Sequence, residues 1–330
     1  MSSSEPEPPL SRHQVSAEMA GLNASDLSAP GWRRIRCGKG WRYLGTHAKP
    51  LLGRSRERCR SLIIPPAWTD VWINPDLRGH IQAAGTDAAG RRQYLYHPLW
   101  QKAMATAKFE DLPEFARRLP RLRAALRRQL RSPADDREFA LAVIVGLLDC
   151  AGLRIGHRRH RQRTGAVGAT TLQSRHLRKK PDGLLLTFPG KSGQKQTVNV
   201  EDPEIAAALI DLTRMPGPDL FVLEEGRITA SMVNQFIAEL MGAGFTSKDF
   251  RTWGGSVAAT RALLAAPPPS IPEVARAAAD WLGNTPAVAR SAYIHPAILE
   301  AAARNITPTA KGGPVRLRAD ERLCYALISG

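Results

Sequence analysis

Within residues 137–151, Ala140-Leu-Ala-Val-Ile-Val145, Leu147 and Leu148 leave no polar stripe at helical spacing. A helix that is apolar on every side is stable only when other elements enclose it. The run therefore predicts a buried central helix inside a domain large enough to surround it. The chain has 330 residues, which allows about two domains on a prior of ~150 residues each. A core of that size needs no disulfide or metal staple. A hydrophobic content of 43% excludes a wholly disordered chain. No apolar run approaches the ~18 residues of a membrane span. The N-terminus lacks the basic-then-apolar pattern of a secretory signal. The four cysteines, Cys37, Cys59, Cys150 and Cys324, form no CxxC pair and have no His at zinc-finger spacing. They read as reduced thiols of a cytosolic protein.

The formal net charge is +17, and 37 of the 47 cationic residues are Arg. The first 30 residues hold Glu5, Glu7, Glu18 and Asp26 against Arg12, so the remainder carries +20. A folded body with that charge repels itself, and the usual reason to keep such a field is an anionic partner. Nucleic acid is the first expectation, because Arg pairs with phosphate in a bidentate fork. A basic surface with no such partner is the bland alternative. A membrane surface is disfavoured, since no basic amphipathic helix with an aromatic face is present.

Residues 1–30 are rich in Ser, Pro and Glu and read as a flexible tail. From Gly31 the pattern is short and strand-like. Ser61-Leu-Ile-Ile64, Val71-Trp-Ile73 and Arg91-Arg-Gln-Tyr-Leu-Tyr96 lie between Pro and Gly punctuation, with a turn at Asp87-Ala-Ala-Gly90. Helical spacing begins near Pro98. The stretch 109–131 is Arg-rich and reads as broken at Pro120. Gly183-Leu-Leu-Leu-Thr-Phe188 and Gln196-Thr-Val-Asn-Val200 flank Pro189-Gly-Lys-Ser-Gly-Gln194, which reads as a β-hairpin with a Gly-rich turn. Val233, Phe236, Ile237, Leu240 and Met241 predict a helix stopped at Gly242. Pro267-Pro-Pro269 separates two further helices. The expectation is an α+β chain: a tail over 1–30, a small mostly β domain over 31–102, and a larger, mainly helical domain over 103–330.

Ready-made motifs fail. Gly190-Lys-Ser192 ends like a P-loop, but Leu185 stands where the first Gly belongs. There is no HExxH, no GxSxG and no carboxylate cluster at metal spacing, so a magnesium-dependent nuclease is poorly supported. Asp249 and Asp280 read as surface or capping residues. Scattered cations and one tyrosine remain. Arg154 follows the buried helix. Lys191 sits on the hairpin turn. Arg251 lies in Lys248-Asp-Phe-Arg-Thr-Trp253. Asn284 precedes Tyr293 by nine residues. Taken singly, each reads equally well as an ion pair, an exposed Lys, a cap or a half-buried aromatic.

The ordered set is more specific. Arg, then Lys on a β-turn, then KxxR, then Gly-Asn nine residues before Tyr resembles the type IB DNA topoisomerases, above all the compact bacterial and poxvirus-like group. Ile64-Pro-Pro-Ala-Trp-Thr-Asp-Val-Trp-Ile73, Gly79-His-Ile-Gln82, the stretches 91–98 and 246–254, Gly168-Ala-Thr-Thr-Leu172 and Phe188-Pro-Gly-Lys-Ser-Gly193 are similar to that family too. The likeness covers roughly residues 31–300 and keeps the family order. It implies the fold shared by topoisomerases IB and tyrosine recombinases, with the Lys on a β-hairpin. It also implies relaxation of supercoiled duplex DNA through a 3′-phosphotyrosine, with no metal, no ATP and no other cofactor. The resemblance makes Tyr293 the nucleophile and has Arg154 and Arg251 hold the non-bridging oxygens. Asn284, where many relatives have His, donates to the same phosphate, and Lys191 protonates the departing 5′-oxygen. It puts Gln93, Tyr94, Tyr96 and Lys248 among DNA-contacting positions. A monomer clamping DNA without an obligatory protein partner follows, placed in the cytoplasm on the nucleoid.

The chemistry fits those roles. A phosphodiester anion repels nucleophiles, so cations must neutralise the pentavalent state, each donor typically worth ~3 kcal/mol. A free Lys, with a pKa of ~10.4, is charged and can donate its proton. The chain departs from the family pattern at His157-Arg-Arg-His-Arg-Gln-Arg-Thr164, where relatives often have an acidic residue and Asn at positions 163 and 164. The run reads either as a solvated charge face or as an added phosphate-contact segment. Two other readings of the whole stay open: a tyrosine recombinase, which usually has His where Lys248 stands, and a non-catalytic architectural DNA binder.

Overall fold

The computed structural model describes residues 17–18, 20–181, 183–309 and 313–330. Its contacts divide the chain into two units, Met1–Ala107 and Lys108–Gly330. The first unit holds strands β1 (Trp32–Cys37) and β2 (Gly40–Leu44), helix α1 (Gly53–Ser61), and strands β3 (Thr69–Ile73), β4 (Ile81–Thr86) and β5 (Arg92–Tyr96). The strands form one antiparallel sheet in the order β2-β1-β3-β4-β5. Strand β4 is buried from Ile81 to Gly85. Small residues there let neighbouring side chains close over the strand. Tyr43, Cys59, Ile64, Val71, Ile73 and Ala83 make the core.

The stretch from Ile64 to Ile73 is shaped by one buried cation. Arg34 donates to Ile64 O at 2.8 Å, to Pro65 O at 2.9 Å and to Trp68 O at 2.8 Å. Its guanidinium lies 4.0 Å from the Trp41 ring centroid. The loop carbonyls thus exchange water for a charged donor, which is the stronger partner inside a protein.

Two expectations change in this unit. Ser61–Ile64 is the end of helix α1 and a loop, not a strand. Arg58 pins that helix by donating to Asn74 O at 2.7 Å and Gln82 Oε1 at 2.9 Å, and Cys59 is its buried residue. One buried position gives no readable period. The tail reading also shortens. Ala17 and Leu22 are buried with Trp100, Asn23 N donates to Arg78 O at 2.8 Å, and His80 N donates to Asn23 O at 2.9 Å. A few apolar and backbone contacts suffice to order a polar segment. Residues 1–16 and 19 of the expected tail lie outside the described residues.

Helix α2 (Pro98–Glu110) carries the boundary between the units. The second unit continues with α3 (Leu112–Gln129), α4 (Arg137–Ala151) and α5 (Arg158–Thr164), then strands β6 (Leu177–Lys180), β7 (Gly183–Pro189) and β8 (Lys195–Val200). Next come α6 (Pro203–Leu212), the short pair β9 (Val222–Leu223) and β10 (Gly226–Arg227), α7 (Ala230–Met241), α8 (Ser247–Ala262), α9 (Ile271–Leu282), α10 (Pro286–Ala292), α11 (Pro296–Ala303) and α12 (Ala319–Ser329). Helix α4 is the buried helix that its apolar run requires, with Phe139 to Leu148 all covered. Helices α3, α6, α7 and α8 and strand β8 pack around it.

Helix α3 runs unbroken through Pro120. The break falls instead at Asp111, between α2 and α3. A mid-helix proline costs roughly 3 kcal/mol. Leu112, Phe115, Leu119, Leu122 and Leu126, all buried along one face, offset it. The expected hairpin gains a third strand, since β6 pairs with β7 as β8 does. Arg178, Lys179 and Lys180 hide β6 from sequence reading because this edge is exposed. Asp249 caps α8, accepting from Thr246 N at 2.7 Å.

One charged network ties the C-terminal helix to the core. Arg123 on α3 makes a bidentate pair with Asp149 on α4 (2.7 and 2.9 Å) and another with Glu321 on α12 (2.8 and 2.5 Å). Glu321 also accepts from Trp253 Nε1 on α8 at 3.4 Å. Two carboxylates hold the Arg123 guanidinium well above its ordinary value despite its burial. The group is a locked cation joining four helices, one of which carries Arg251.

Candidate active site

The site is built from the ends of α4 and α9, the middle of α8 and the turn after α10. Helix α4 ends at Gly152 in the left-handed conformation (φ 58°), which releases the chain towards Arg154. A Cβ at Gly152 would meet the Trp281 ring at 2.5 Å, and one at Gly254 would meet it at 1.9 Å. Trp281 therefore lies between two bare backbones, and α8 and α9 close onto the end of α4. Helix α9 ends at Gly283, also left-handed (φ 57°), directly before Asn284.

Arg251 is the anchor. It is 5% exposed. Its Nη1 donates to Gly152 O, and its Nη2 donates to Leu282 O at 2.9 Å. One guanidinium thus fixes the backbone two residues before Arg154 and two residues before Asn284. Burial, and then the charge of Arg154, lower its pKa to about 10. Arg154 in turn donates through Nη2 to Asn284 Oδ1. The guanidinium of Arg251 lies 5.2 Å from the centroid of the Tyr293 ring. Arg154, Arg251, Asn284 and Tyr293 thus form one linked group.

Two donor atoms in this group, Arg251 Nε and Asn284 Nδ2, are buried and have no hydrogen-bond partner among the described residues. Buried donors ordinarily find a partner, so each of these atoms has room for one more hydrogen bond. Arg251 lies by the Tyr293 ring, and Asn284 is bonded to Arg154.

Lys191 is exposed, on the turn that joins β7 to β8. What ties this turn to the group is Gln196. A Cβ at Gly190 would meet Gln196 Cγ at 2.5 Å, and one at Gly283 would meet Gln196 Oε1 at 1.8 Å. The Gln196 side chain therefore lies against both the Lys191 turn and the Asn284 turn. A cleft of about 590 Å³ opens here, with Arg154, Gly190, Gln196, Arg251 and Gly283 on its walls. Sequence reasoning missed Gln196 and Trp281. Neither carries charge, and each packs against glycines, whose missing Cβ leaves no mark in the sequence.

The run after Arg154 is helix α5. Arg158, Arg159, His160 and Arg163 are exposed, as is His157 before them. Arg161 instead turns inward to Asp219 at 2.9 Å, and Asp219 also pairs with Arg227 at 2.6 Å and accepts from Gln173 Nε2 at 2.7 Å. Next to this cluster, His176 Nδ1 accepts from Gln173 N at 3.0 Å. Burial, then the charges of Arg175 and Arg161, push the His176 pKa down to about 4. The unfolded chain protonates this histidine below about 6.5 while the fold resists until about 4. Stability should thus be flat above about pH 6.5 and fall as pH drops from there towards 4. Denaturant melts of the wild type and His176→Gln across that range test this, the variant losing that portion of the slope.

In the smaller unit, Tyr94 is exposed, Tyr96 is stacked on Trp100 with centroids 4.1 Å apart, and Gln93 Nε2 donates to Asp87 Oδ2 at 3.0 Å. Tyr96 is thus partly spent on packing, and Tyr94 is the freer ring. Lys248 is exposed in the first turn of α8.

The chain is similar to proteins already known. The profile described as "Eukaryotic DNA topoisomerase I, catalytic core" matches residues 99–306, and that of "Bacterial DNA topoisomerase IB, N-terminal domain" matches residues 40–87. The DNA topoisomerase 1B of Acanthamoeba polyphaga mimivirus is 31% identical over 217 residues, covering 63% of this chain and 65% of that protein. The DNA topoisomerase 1B of vaccinia virus (strain Copenhagen) is 24% identical over 226 residues, covering 66% of this chain and 70% of its own. The matched catalytic core spans every member of the linked group, and the chain belongs to the type IB DNA topoisomerase family.

Proposed function

We propose that the protein relaxes supercoiled duplex DNA by cutting one strand, letting it rotate and resealing it. The observation that carries this reading is the linkage of Arg251 to the Tyr293 ring and of Arg154 to Asn284, with Arg251 tying down the backbone ahead of both Arg154 and Asn284. The Tyr293 phenolic oxygen forms a bond to a backbone phosphorus, and the bond to the 5′-oxygen breaks. The phenol's proton passes to solvent. Lys191, from its exposed turn, gives a proton to the departing 5′-oxygen. The two guanidiniums hold the non-bridging oxygens, and Asn284 Nδ2 donates to one of them. An amide keeps this donor across the neutral range, where a histidine would titrate. The ester stores the energy of the broken bond, so resealing reverses the same steps without ATP or an added cofactor.

The smaller unit, through Gln93, Tyr94 and Tyr96, would complete a monomeric clamp on DNA in the cytoplasm, with Lys248 and the exposed cations of α5 on further phosphates. Among the described residues no helix is long and apolar enough to cross a membrane. Binding to plain duplex should weaken steeply with salt, by ~10³–10⁵ between about 50 and 200 mM if 6–10 phosphates are contacted. Fluorescence anisotropy at stepped salt measures the slope, and a flat profile contradicts a charge-driven grip. The function itself is tested by incubating supercoiled plasmid with protein in EDTA without ATP. A ladder of relaxed topoisomers is expected, and an unchanged supercoiled band from folded protein refutes it.

A further inference from the structure

The nucleophile's backbone is held from outside its own helix. Tyr293 ends α10 with φ −136° and ψ −7°, away from the main helical and extended basins. Two peptide planes flank the Tyr293 α-carbon, and both are fixed. In the preceding plane, Tyr293 N donates to Ala289 O at 2.9 Å and Lys108 Nζ donates to Ala292 O at 2.8 Å. In the following plane, Tyr293 O accepts from Ser256 Oγ at 3.1 Å, and the same hydroxyl accepts from His295 N at 3.0 Å. Fixing both planes fixes φ and ψ, and so fixes the direction in which the phenol leaves the chain.

Ser256 belongs to α8, five residues after Arg251, so it ties Tyr293 to the phosphate-binding helix. Lys108 is the unexpected member. Water could serve a carbonyl at a helix end, yet here a long side chain is half-buried to reach it. Its ammonium also lies 4.5 Å from the Phe109 ring, and Phe109 packs edge-on against His295 with centroids 5.4 Å apart. Residues 108 and 109 thus brace the chain on both sides of the nucleophile. Burial draws the Lys108 pKa below its ordinary value, and the hydrogen bond to Ala292 O and the Phe109 ring face offset its dehydration.

We infer that Lys108 is a positioning residue for the attack of Tyr293: by holding the Ala292 carbonyl it aims the phenol at the phosphorus. The inference rests on the reading of Tyr293 as nucleophile. Small misplacements of reacting atoms cost large factors in rate. Lys108→Met keeps the apolar stem and removes the donor, whereas Lys108→Arg restores a cation.

The experiment is single-turnover formation of the SDS-stable adduct on a nicked suicide duplex, run beside anisotropy for affinity and thermal melts for folding. Lys108→Met should slow adduct formation between ~10- and ~100-fold, with affinity and melting close to wild type. Lys108→Arg should recover most of the rate. Adduct formation at the wild-type rate in Lys108→Met overturns the inference. So does a loss matched by equal losses of affinity or melting temperature, or an Arg variant as slow as the Met variant. Failure of the wild type itself to form an adduct would instead overturn the reading of the site.

Discussion

Tyr293→Phe protein should bind duplex DNA with wild-type affinity and leave supercoiled plasmid unrelaxed. The substitution removes one oxygen and keeps the ring. The ring still faces the Arg251 guanidinium, and the backbone bonds to Ala289 O and Ser256 Oγ do not involve the hydroxyl. Folding therefore changes little. Chemistry should stop, because no other group in the linked set can form the ester. Removing a covalent nucleophile typically costs on the order of 10⁶-fold, which puts the variant below detection in a relaxation assay. Gel relaxation and anisotropy on the same preparation separate the two effects. A variant that relaxes plasmid at a measurable rate would move the nucleophile elsewhere. A wild type that never forms an adduct would favour the architectural-binder alternative.

The second large effect belongs to Arg251→Lys. The charge is kept, but the fork is lost. One guanidinium now reaches Gly152 O and Leu282 O together and retains Nε unpaired. An ammonium cannot span both carbonyls and still meet a phosphate oxygen, so this exchange is not conservative. Losing one well-placed donor from a charge-stabilising site costs ~10²–10³ in rate, and slack between the Arg154 and Asn284 segments adds to it. Single-turnover cleavage should drop by at least that factor while affinity for plain duplex falls much less. The melting temperature should also fall, since two buried carbonyls lose a partner. A variant cleaving within about threefold of wild type would mean that position 251 only holds the fold together.

How much of this was legible beforehand follows from what each residue says locally. The all-round apolar run of α4 announced a central buried helix, because no exposed helix tolerates such a pattern. The alternating strands β5, β7 and β8, and the stop of α7 at Gly242, were readable for the same local reasons. Helix α1 and strand β6 were not, since Arg side chains and an exposed edge hold them and no apolar period marks them. The unbroken α3 shows a tertiary face overriding a local breaker.

The site shows the same division. Its charged members stood out as residue types in family order. Their mutual bonds did not, because Arg154 and Asn284 are 130 positions apart. Gln196, Trp281, Ser256 and Lys108 were invisible for a deeper reason. Each acts on backbone or on a bare glycine, and a carbonyl or a missing Cβ leaves no pattern in the sequence of its partner.

The most direct measurement is to trap the adduct with SDS during plasmid cleavage, digest it, and identify the peptide and the DNA end that are joined. The expected product is a 3′-phosphate esterified to Tyr293 and nothing else. A 5′ linkage, or attachment through any other side chain, would contradict it.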